Sequence, residues 1–233
     1  CSPLKLPSFY PIFWIFIIMN KEKLLIFEES YRMLEMSGVN PVANKQLAVI
    51  DIQPEYIDGF RSFLNDFIRF LNQNYNKLSR LTFFYNGADT LGMISESDYR
   101  MWWFENGLNE EILDSARFYD KGYAFFRYCI DNDIEHTTTS NLIKFMISKN
   151  VNDSRELDKK FWNEFVKKFG DKHIRELLEF ADDCIHIPDL MDELQNYNNI
   201  VICGGGVNEC LKEVEIALDA LEKPYNVLTK FTY

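Results

Sequence analysis

The sequence predicts a three-layer αβα fold, in which a mostly parallel, doubly wound sheet is covered by helices on both faces. Short, mainly apolar segments, typical of strands buried on both faces of a parallel sheet, occur at residues 47–52, 80–85 and 200–203. The stretches between them carry apolar residues at helical spacing. Such alternation is typical of the α/β class. The length of 233 residues fits one such domain better than two.

The predicted elements alternate along the chain from residue 47 onward. The predicted strands are short and rich in apolar or aromatic residues, and they cover 47–52, 80–85, 117–119, 200–203 and 225–230, with a further extended segment at 184–187. The predicted helices cover residues 58–77, 96–113, 122–131 and 209–221. In the first of these helices, Phe60, Leu64 and Phe67 recur at intervals of four and three residues, which places them on one face.

A helical insertion is expected between about residues 133 and 187. This stretch is long and polar, and its pattern is mainly helical. Residues 137–140 and 152–154 are typical helix starts, because Ser, Thr, Asn and Asp side chains accept hydrogen bonds from the first free N–H groups of a helix. We expect this insertion to cap or obstruct a site on the sheet.

The first 44 residues are set apart from the α/β domain, which we assign to residues 45–233. The apolar run at 10–18 is shorter than the about 20 residues that a membrane-spanning helix needs. Because Met19 opens an ordinary coding start, we interpret residues 1–18 as non-native upstream sequence. A signal or anchor segment is the alternative, although it lacks a typical cleavage pattern. Residues 19–44 are predicted to form a helical extension.

The composition excludes several classes of protein. With 25 Lys and Arg against 36 Asp and Glu, the net charge of −11 argues against a nucleic-acid-binding protein. The apolar fraction of 47% excludes a disordered chain. Five cysteines without a C-x-x-C pair, together with three histidines, argue against a zinc site or a disulfide scaffold. We therefore predict reduced thiols, a cytoplasmic location, no metal and no membrane contact.

Candidate site residues follow the predicted strands, because ligands of open α/β sheets bind at the carboxyl ends of the strands. Four such ends carry polar or reactive groups, and they are Asp51, residues 86–89, residues 120–121 and residues 204–210. A Mg²⁺-dependent phosphohydrolase using Asp51, Asp89 and Asp120 is one function open to such a cluster, since carboxylates bind Mg²⁺. No Asp-x-Asp motif accompanies these residues.

Cys210 is predicted to lie in the first turn of a helix that follows three glycines at 204–206. At that position the helix dipole and the free backbone N–H groups favour a thiolate, and the same N–H groups can form an oxyanion hole. The alternative is a small buried cysteine with no chemical role. A dinucleotide site is disfavoured, because Glu209 stands where the G-x-G-x-x-G pattern requires its third glycine.

Asp51 and Lys121 are predicted to act together with the Cys210 thiol. A carboxylate at the end of a buried strand needs a partner, since a buried unpaired charge is costly. Lys121 follows the third strand and can reach Asp51, although a lysine at this place is also typical of an exposed surface. A lysine between Asp51 and a thiol favours the thiolate, and Asp51 can accept the thiol proton.

Three segments of the chain resemble the isochorismatase-like cysteine hydrolases. Residues 47–56 resemble the first strand of that family with its Asp-x-Gln pattern, residues 120–126 its lysine followed by Ala-Phe, and residues 201–211 its glycine turn and nucleophile. The resemblance implies that Asp51 is the general base, Lys121 its ionic partner and Cys210 the nucleophile.

The resemblance also implies how the site is completed. It implies a non-proline cis peptide bond at Gly205–Gly206 or Gly206–Val207, with Gly205, Gly206 and Val207 forming the turn that aims N–H groups at an oxyanion. Gln53 and Phe125 lie in the matched segments, and Asn86 follows the second strand. We expect these last three residues to contact a substrate.

Two departures separate the chain from the family pattern. No Asp-x-His metal motif follows the second strand, so a nicotinamidase type of metal centre is not expected. Residues 133–187 have no counterpart in the resemblance. The leading hypothesis is a cysteine hydrolase without a cofactor that cleaves a small amide or related C–N bond, and a homo-oligomer is an open possibility. The alternatives are a catalytically silent relative used for binding or assembly, and the phosphohydrolase above.

Overall fold

A parallel sheet lies at the centre of the computed structural model. Its strands are β1 (Gln46–Ile50), β2 (Arg80–Tyr85), β3 (Arg117–Asp120), β4 (Ile200–Gly204) and β5 (Tyr225–Val227). Within the part of the chain that the structure describes, they form one five-stranded sheet in the order β3-β2-β1-β4-β5, and every pairing is parallel. This arrangement confirms the predicted α/β class with a parallel, doubly wound sheet.

The structure describes residues 42–87, 94–121, 129–130, 132–152, 156–181 and 190–233, with residues 179–181 described for their backbone alone. Residues 42–233 make up one compact unit. The predictions for residues 1–18, for most of the extension at 19–44 and for the extended segment at 184–187 lie outside the described residues. The same holds for Phe125, Asp89 and most of the helix predicted at 122–131.

The order of the strands defines where a ligand site belongs. β1 is the central strand, and the chain places β2 and β3 on one side of it and β4 and β5 on the other. Ile50 is in register with Gly204, so the residues that follow β1 and β4 leave the sheet side by side. In open α/β sheets the ligand crevice forms at this change of direction, at the carboxyl ends of the strands.

Helices surround the sheet between its strands. They are α1 (Ile57–Phe60), α2 (Leu64–Asn74), α3 (Glu96–Glu105), α4 (Glu110–Ser115), α5 (His136–Ser148), α6 (Lys159–Phe169), α7 (Ile174–Ala181), α8 (Leu190–Gln195) and α9 (Cys210–Ala220). Short 3₁₀ helices lie at Pro54–Tyr56, Tyr75–Lys77 and Thr229–Phe231. Side chains cap two of the helix starts: Ser95 accepts a hydrogen bond from the Asp98 N–H, and Asp158 accepts one from the Phe161 N–H.

Helices cover both faces of the sheet, as neighbouring residues of β2 show. The ring of Phe83 packs against Tyr99 and Trp103 of α3, whereas the ring of Phe84 packs against Tyr119 and Tyr197. Successive side chains of a strand point to opposite faces. Both rings are completely buried, so each face has its own packed layer.

The helical insertion supplies one of these layers. In α5, Leu142 and Ile143 are buried in the same core cluster as Ile202 of β4 and Val214 of α9. Helices α5 and α9 pack against each other. This part of the insertion therefore covers the sheet itself. None of the helices in the described ranges is long and apolar enough to cross a membrane.

Candidate active site

Asp51 directly follows β1 and turns away from the path of the strand. Its backbone has a φ of 45°, which is uncommon for a residue other than glycine, and its N–H donates to the Phe84 carbonyl oxygen at 2.9 Å. The residue is completely buried. Among the described residues, neither carboxylate oxygen has a hydrogen-bond partner of ordinary geometry, so Asp51 retains the capacity to accept a proton.

Lys121 follows β3 and pairs with Asp51. Its backbone N–H donates to the Tyr85 carbonyl oxygen at 2.9 Å, which holds the residue beside β2. The Nζ atom lies 3.1 Å from Oδ2 of Asp51 and 2.9 Å from Oε2 of Glu213. Burial by itself lowers the pKa of Lys121, but the two carboxylates outweigh burial and raise it. The ammonium group is therefore charged at every physiological pH.

Glu213 is a member of this cluster that we did not predict. It lies on α9 and is 2% exposed, and its carboxylate shares the Lys121 ammonium with Asp51. A signal was present in the sequence, because Glu213 lies between Leu211 and Val214 on a helix whose other inward positions are apolar. A charged residue on an apolar helix face requires a buried partner.

Cys210 is the first residue of α9 and is 8% exposed. Burial is the largest influence on its thiol and raises its pKa, and the charge of Asp51 raises it further, while Lys121 acts in the opposite direction. The thiol is therefore protonated at rest, which differs from the thiolate that its helix position predicted. The reason is that burial and two carboxylates outweigh one lysine and the helix dipole.

The turn between β4 and α9 is built by glycines in left-handed conformations. Gly204 and Gly205 have φ values of 77° and 60°. A Cβ atom on Gly204 would lie 2.3 Å from the Ile50 carbonyl oxygen. No cis peptide bond occurs among the described residues, so the predicted cis bond in this turn is wrong. The positive φ angles, which glycine adopts readily, reverse the chain instead.

We expect Gly204→Ala to lower the free energy of unfolding by about 3 kcal/mol or more, because it combines a strained φ with a steric clash. Gly107→Ala is the matched control, since Gly107 also has a positive φ of 97° but has open space around it. That variant should lose only about 1–2 kcal/mol. Urea denaturation measures the free energy of unfolding of both variants. Equal losses would show that the clash between a Cβ atom on residue 204 and the Ile50 carbonyl oxygen has no effect.

The Val207 N–H group is already engaged. It donates to the Tyr233 carbonyl oxygen at 2.7 Å, and the Tyr233 N–H donates to the Gly205 carbonyl oxygen at 3.2 Å. The hydroxyl of Tyr233 also donates to the backbone oxygen of Asp51 at 3.2 Å. Burial raises the pKa of Tyr233, and the charges of Asp51 and Cys210 contribute. Tyr233 thus borders the site, although no sequence pattern indicated it.

Gln53 and Asn86 follow β1 and β2, and hydrogen bonds join them to each other and to their neighbours. The Gln53 side-chain oxygen accepts from the Asn86 N–H at 2.9 Å, and its amide donates to Glu55 at 3.1 Å. The Asn86 side-chain amide donates to the Tyr56 hydroxyl at 3.0 Å. Burial raises the pKa of Tyr56, and Asp51 and Cys210 act on it. Gln53 is completely buried, so it positions Asn86 and Tyr56.

Asp120 does not join the Asp51 cluster. Its Oδ1 atom accepts a hydrogen bond from the Gly87 N–H at 2.9 Å, which ties the end of β3 to the segment after β2. No group of three His, Cys, Asp or Glu side chains suited to a metal ion occurs in the described ranges. Since Asp51 pairs with Lys121, the described carboxylates do not provide the cluster that the phosphohydrolase hypothesis requires.

The other described cysteines have no charged neighbours of this kind. Cys129 and Cys203 are free and buried. Burial raises the pKa of Cys129 to about 12 and also raises that of Cys203. Both thiols are therefore inert at neutral pH, and among the described thiols only Cys210 lies beside an acid and a base.

No protein-family model, curated protein or solved structure matches this chain. The feature of the described structure that bears on function is the cluster formed by Asp51, Lys121, Cys210 and Glu213.

Proposed function

We propose that the protein is a cysteine hydrolase that cleaves a small amide or related C–N bond. One observation carries the proposal: an acid, a base and a thiol from three distant segments are buried together at the carboxyl edge of a parallel sheet. Asp51 and Lys121 form an ion pair at 3.1 Å, and Cys210 lies within the reach of both charges. Burying such groups together is costly for stability, which favours a chemical role. The resemblance to the isochorismatase-like hydrolases assigns the same three residues.

The proposed reaction has two halves. Asp51 accepts the proton of the Cys210 thiol, and the sulfur attacks the substrate carbonyl carbon to form a tetrahedral intermediate. This intermediate collapses with cleavage of the C–N bond, and the proton held by Asp51 goes to the departing amine. Water then attacks the thioester and gives a proton to Asp51, the C–S bond breaks, the Cys210 sulfur takes that proton back from Asp51, and the carboxylic acid leaves. Lys121 orients the Asp51 carboxylate throughout.

Backbone N–H groups of the turn and of the start of α9 are assigned to stabilise the oxyanion. The segment runs from Gly205 through Gly206 and Val207 to Cys210. Since the Val207 N–H already holds the Tyr233 carbonyl oxygen, it serves a substrate only when the substrate oxygen replaces that carbonyl. Tyr233 therefore marks the place that the substrate carbonyl would take.

The charge of the site restricts the substrate. Among the described groups, the carboxylates of Asp51 and Glu213 share the single ammonium of Lys121, so acidic groups outnumber basic ones there. An anionic substrate would be repelled. We therefore propose a neutral or cationic small amide, with Asn86 and Tyr56 beside it. The reduced cysteines support the proposal of a cytoplasmic enzyme, and the net charge of −11 supports the absence of a nucleic-acid partner.

We expect Asp51→Asn to lower the turnover number by about 10²- to 10⁴-fold, because an amide cannot accept the thiol proton. Ammonia release from a panel of neutral and cationic primary amides measures the effect. Asp58→Asn is the matched control, since Asp58 is fully exposed and pairs only with Arg61 in the described contacts. Equal rates for wild type and Asp51→Asn would remove Asp51 from the mechanism.

A second candidate function is a catalytically silent binding or assembly protein. The observation that favours it is the closure of the site, because Asp51, Lys121 and Cys210 are 0%, 5% and 8% exposed and the Val207 N–H is occupied. This candidate predicts that the amide panel yields no ammonia and that Cys210 accepts no acyl group from an activated ester.

A further inference from the structure

Glu213 is the charged residue of the cluster for which the proposed reaction has no use. It lies three residues after Cys210 on α9, a spacing that places both side chains on the same face of the helix. Its carboxylate is 2.9 Å from the Lys121 ammonium and is as deeply buried as that group. The same ammonium lies 3.1 Å from Oδ2 of Asp51, so the two carboxylates share it.

Several titratable groups act on the Cys210 thiol in the described part of the structure. They come from the end of β1, the end of β3, the helix α9, the 3₁₀ turn after β1 and the last residues of the chain, and they are Asp51, Lys121, Glu213, Tyr56 and Tyr233. The two tyrosines are uncharged at neutral pH. An ionised thiol would add a negative charge beside the carboxylates of Asp51 and Glu213.

We propose that Glu213 is a positioning residue that fixes the Lys121 ammonium between two carboxylates and keeps Cys210 in its thiol form until Asp51 accepts the proton. This rests on the proposed hydrolase function and defines how its nucleophile is activated. With Asp51 alone, Lys121 would be free to turn toward the sulfur and stabilise a thiolate. With Glu213 present, the ammonium is held by opposing carboxylates and the thiolate is repelled by both.

The consequence is a nucleophile that forms only during the reaction. A resting thiol reacts slowly with alkylating agents and oxidants, because the thiolate is the reactive species. General-base transfer to Asp51 produces the nucleophile only when a carbonyl is in place. Glu213 thereby makes Cys210 selective for a bound substrate over small electrophiles in solution.

The test is the pH dependence of Cys210 alkylation by iodoacetamide, read at the Cys210 peptide by mass spectrometry. In the wild type we expect the midpoint of the rate to lie above about pH 9. In Glu213→Gln, which keeps the shape and an acceptor for Lys121, we expect it to fall by about one to two pH units, because one buried negative charge is removed. The alkylation rate at pH 7 rises by about tenfold or more.

Glu215→Gln is the matched control. Glu215 lies on the same helix two residues further on, where its carboxylate pairs with Lys212 at 3.5 Å. This variant should alkylate at the wild-type rate across the pH range. Circular dichroism confirms that each variant is folded. If Glu213→Gln does not fold, Glu213→Asp replaces it: a midpoint like that of the wild type supports the role of the charge, and a midpoint lowered by one unit or more overturns it.

An unchanged midpoint in folded Glu213→Gln would overturn the assignment, and so would a wild-type midpoint below about pH 8. The readout needs no substrate, so it is separate from the test of hydrolysis. If the protein releases no ammonia but the midpoint shifts in Glu213→Gln, the effect of Glu213 on the thiol is supported and the hydrolase function is contradicted. If the protein hydrolyses amides but the midpoint does not shift, the hydrolase function is supported and this role of Glu213 is contradicted.

Discussion

Replacement of Cys210 by alanine is expected to reduce amide hydrolysis by at least about a thousandfold, to the background rate. Alanine cannot form the thioester through which both halves of the proposed reaction pass. The fold should persist, because the change removes a single sulfur atom from the first residue of α9. Ammonia release on the amide panel measures the loss, and circular dichroism with thermal unfolding checks the fold.

Cys203→Ala is the matched control for this prediction. Cys203 is also a buried free cysteine, and it lies on β4, where burial raises the pKa of its thiol. The same atoms are removed in both variants, so a general loss of packing would affect both. We expect Cys203→Ala to retain turnover per folded molecule. Retained turnover in Cys210→Ala would exclude covalent catalysis by this thiol.

Lys121→Met is expected to produce the largest loss of stability among changes in the site, about 3–5 kcal/mol. Methionine preserves most of the side-chain volume but removes the ammonium group that Asp51 and Glu213 share. Their carboxylates lie 3.1 Å and 2.9 Å from the present ammonium, and all three side chains are at most 3% exposed. Removing one partner of a buried ion pair leaves an uncompensated charge, which is why the loss is large.

Lys144→Met is the control, because Lys144 pairs with Glu222 at the surface, where both side chains are well exposed. Exposed pairs contribute about 0–1 kcal/mol, so this variant should unfold nearly as the wild type does. Combining Lys121→Met with Glu213→Gln should recover part of the loss, since one of the two carboxylates that share the ammonium becomes neutral. Urea denaturation at pH 7 measures all three variants, and a loss below about 1 kcal/mol for Lys121→Met would contradict the account of the cluster.

The strands were the most predictable part of the fold. Residues 80–85 form β2 with the predicted bounds, because a short, mainly apolar and aromatic stretch is typical of a strand buried on both faces of a sheet. The helix predicted at 96–113 is instead two helices, since Asn106 and Gly107 end α3 and Gly107 adopts a left-handed φ. Hydrophobic spacing alone does not reveal such a break.

The last strand is shorter than predicted for a similar reason. β5 ends at Val227, and Thr229–Phe231 forms a 3₁₀ turn that returns the chain across the sheet. The ring of Phe231 is buried against the rings of Phe63, which precedes α2, and of Phe67 and Phe70 on α2. These contacts join residues that are far apart in the sequence. They determine where the strand ends, and a local sequence pattern does not reveal them.

The position of the candidate site could be predicted from the sequence, but the charged groups around the Cys210 thiol and their effect on its pKa could not. The rule that ligands bind at the carboxyl ends of parallel strands was enough to select Asp51, Lys121 and Cys210. Glu213 was missed because it lies inside a helix, and its pairing depends on a residue 92 positions earlier. The predicted thiolate at Cys210 followed from helix position alone, whereas the pKa of the thiol is governed by burial, which only the folded structure reveals.

The most direct test of the central claim is acylation of Cys210 by p-nitrophenyl acetate, an activated ester that needs no knowledge of the natural substrate. We predict a burst of about one p-nitrophenol per chain, with one acetyl group on the Cys210 peptide that water then removes. The burst should be absent in Cys210→Ala and slowed in Asp51→Asn by about 10²-fold or more. No acetyl group on Cys210, or the same p-nitrophenol release from wild type and Cys210→Ala, would contradict the proposal that this protein is a cysteine hydrolase.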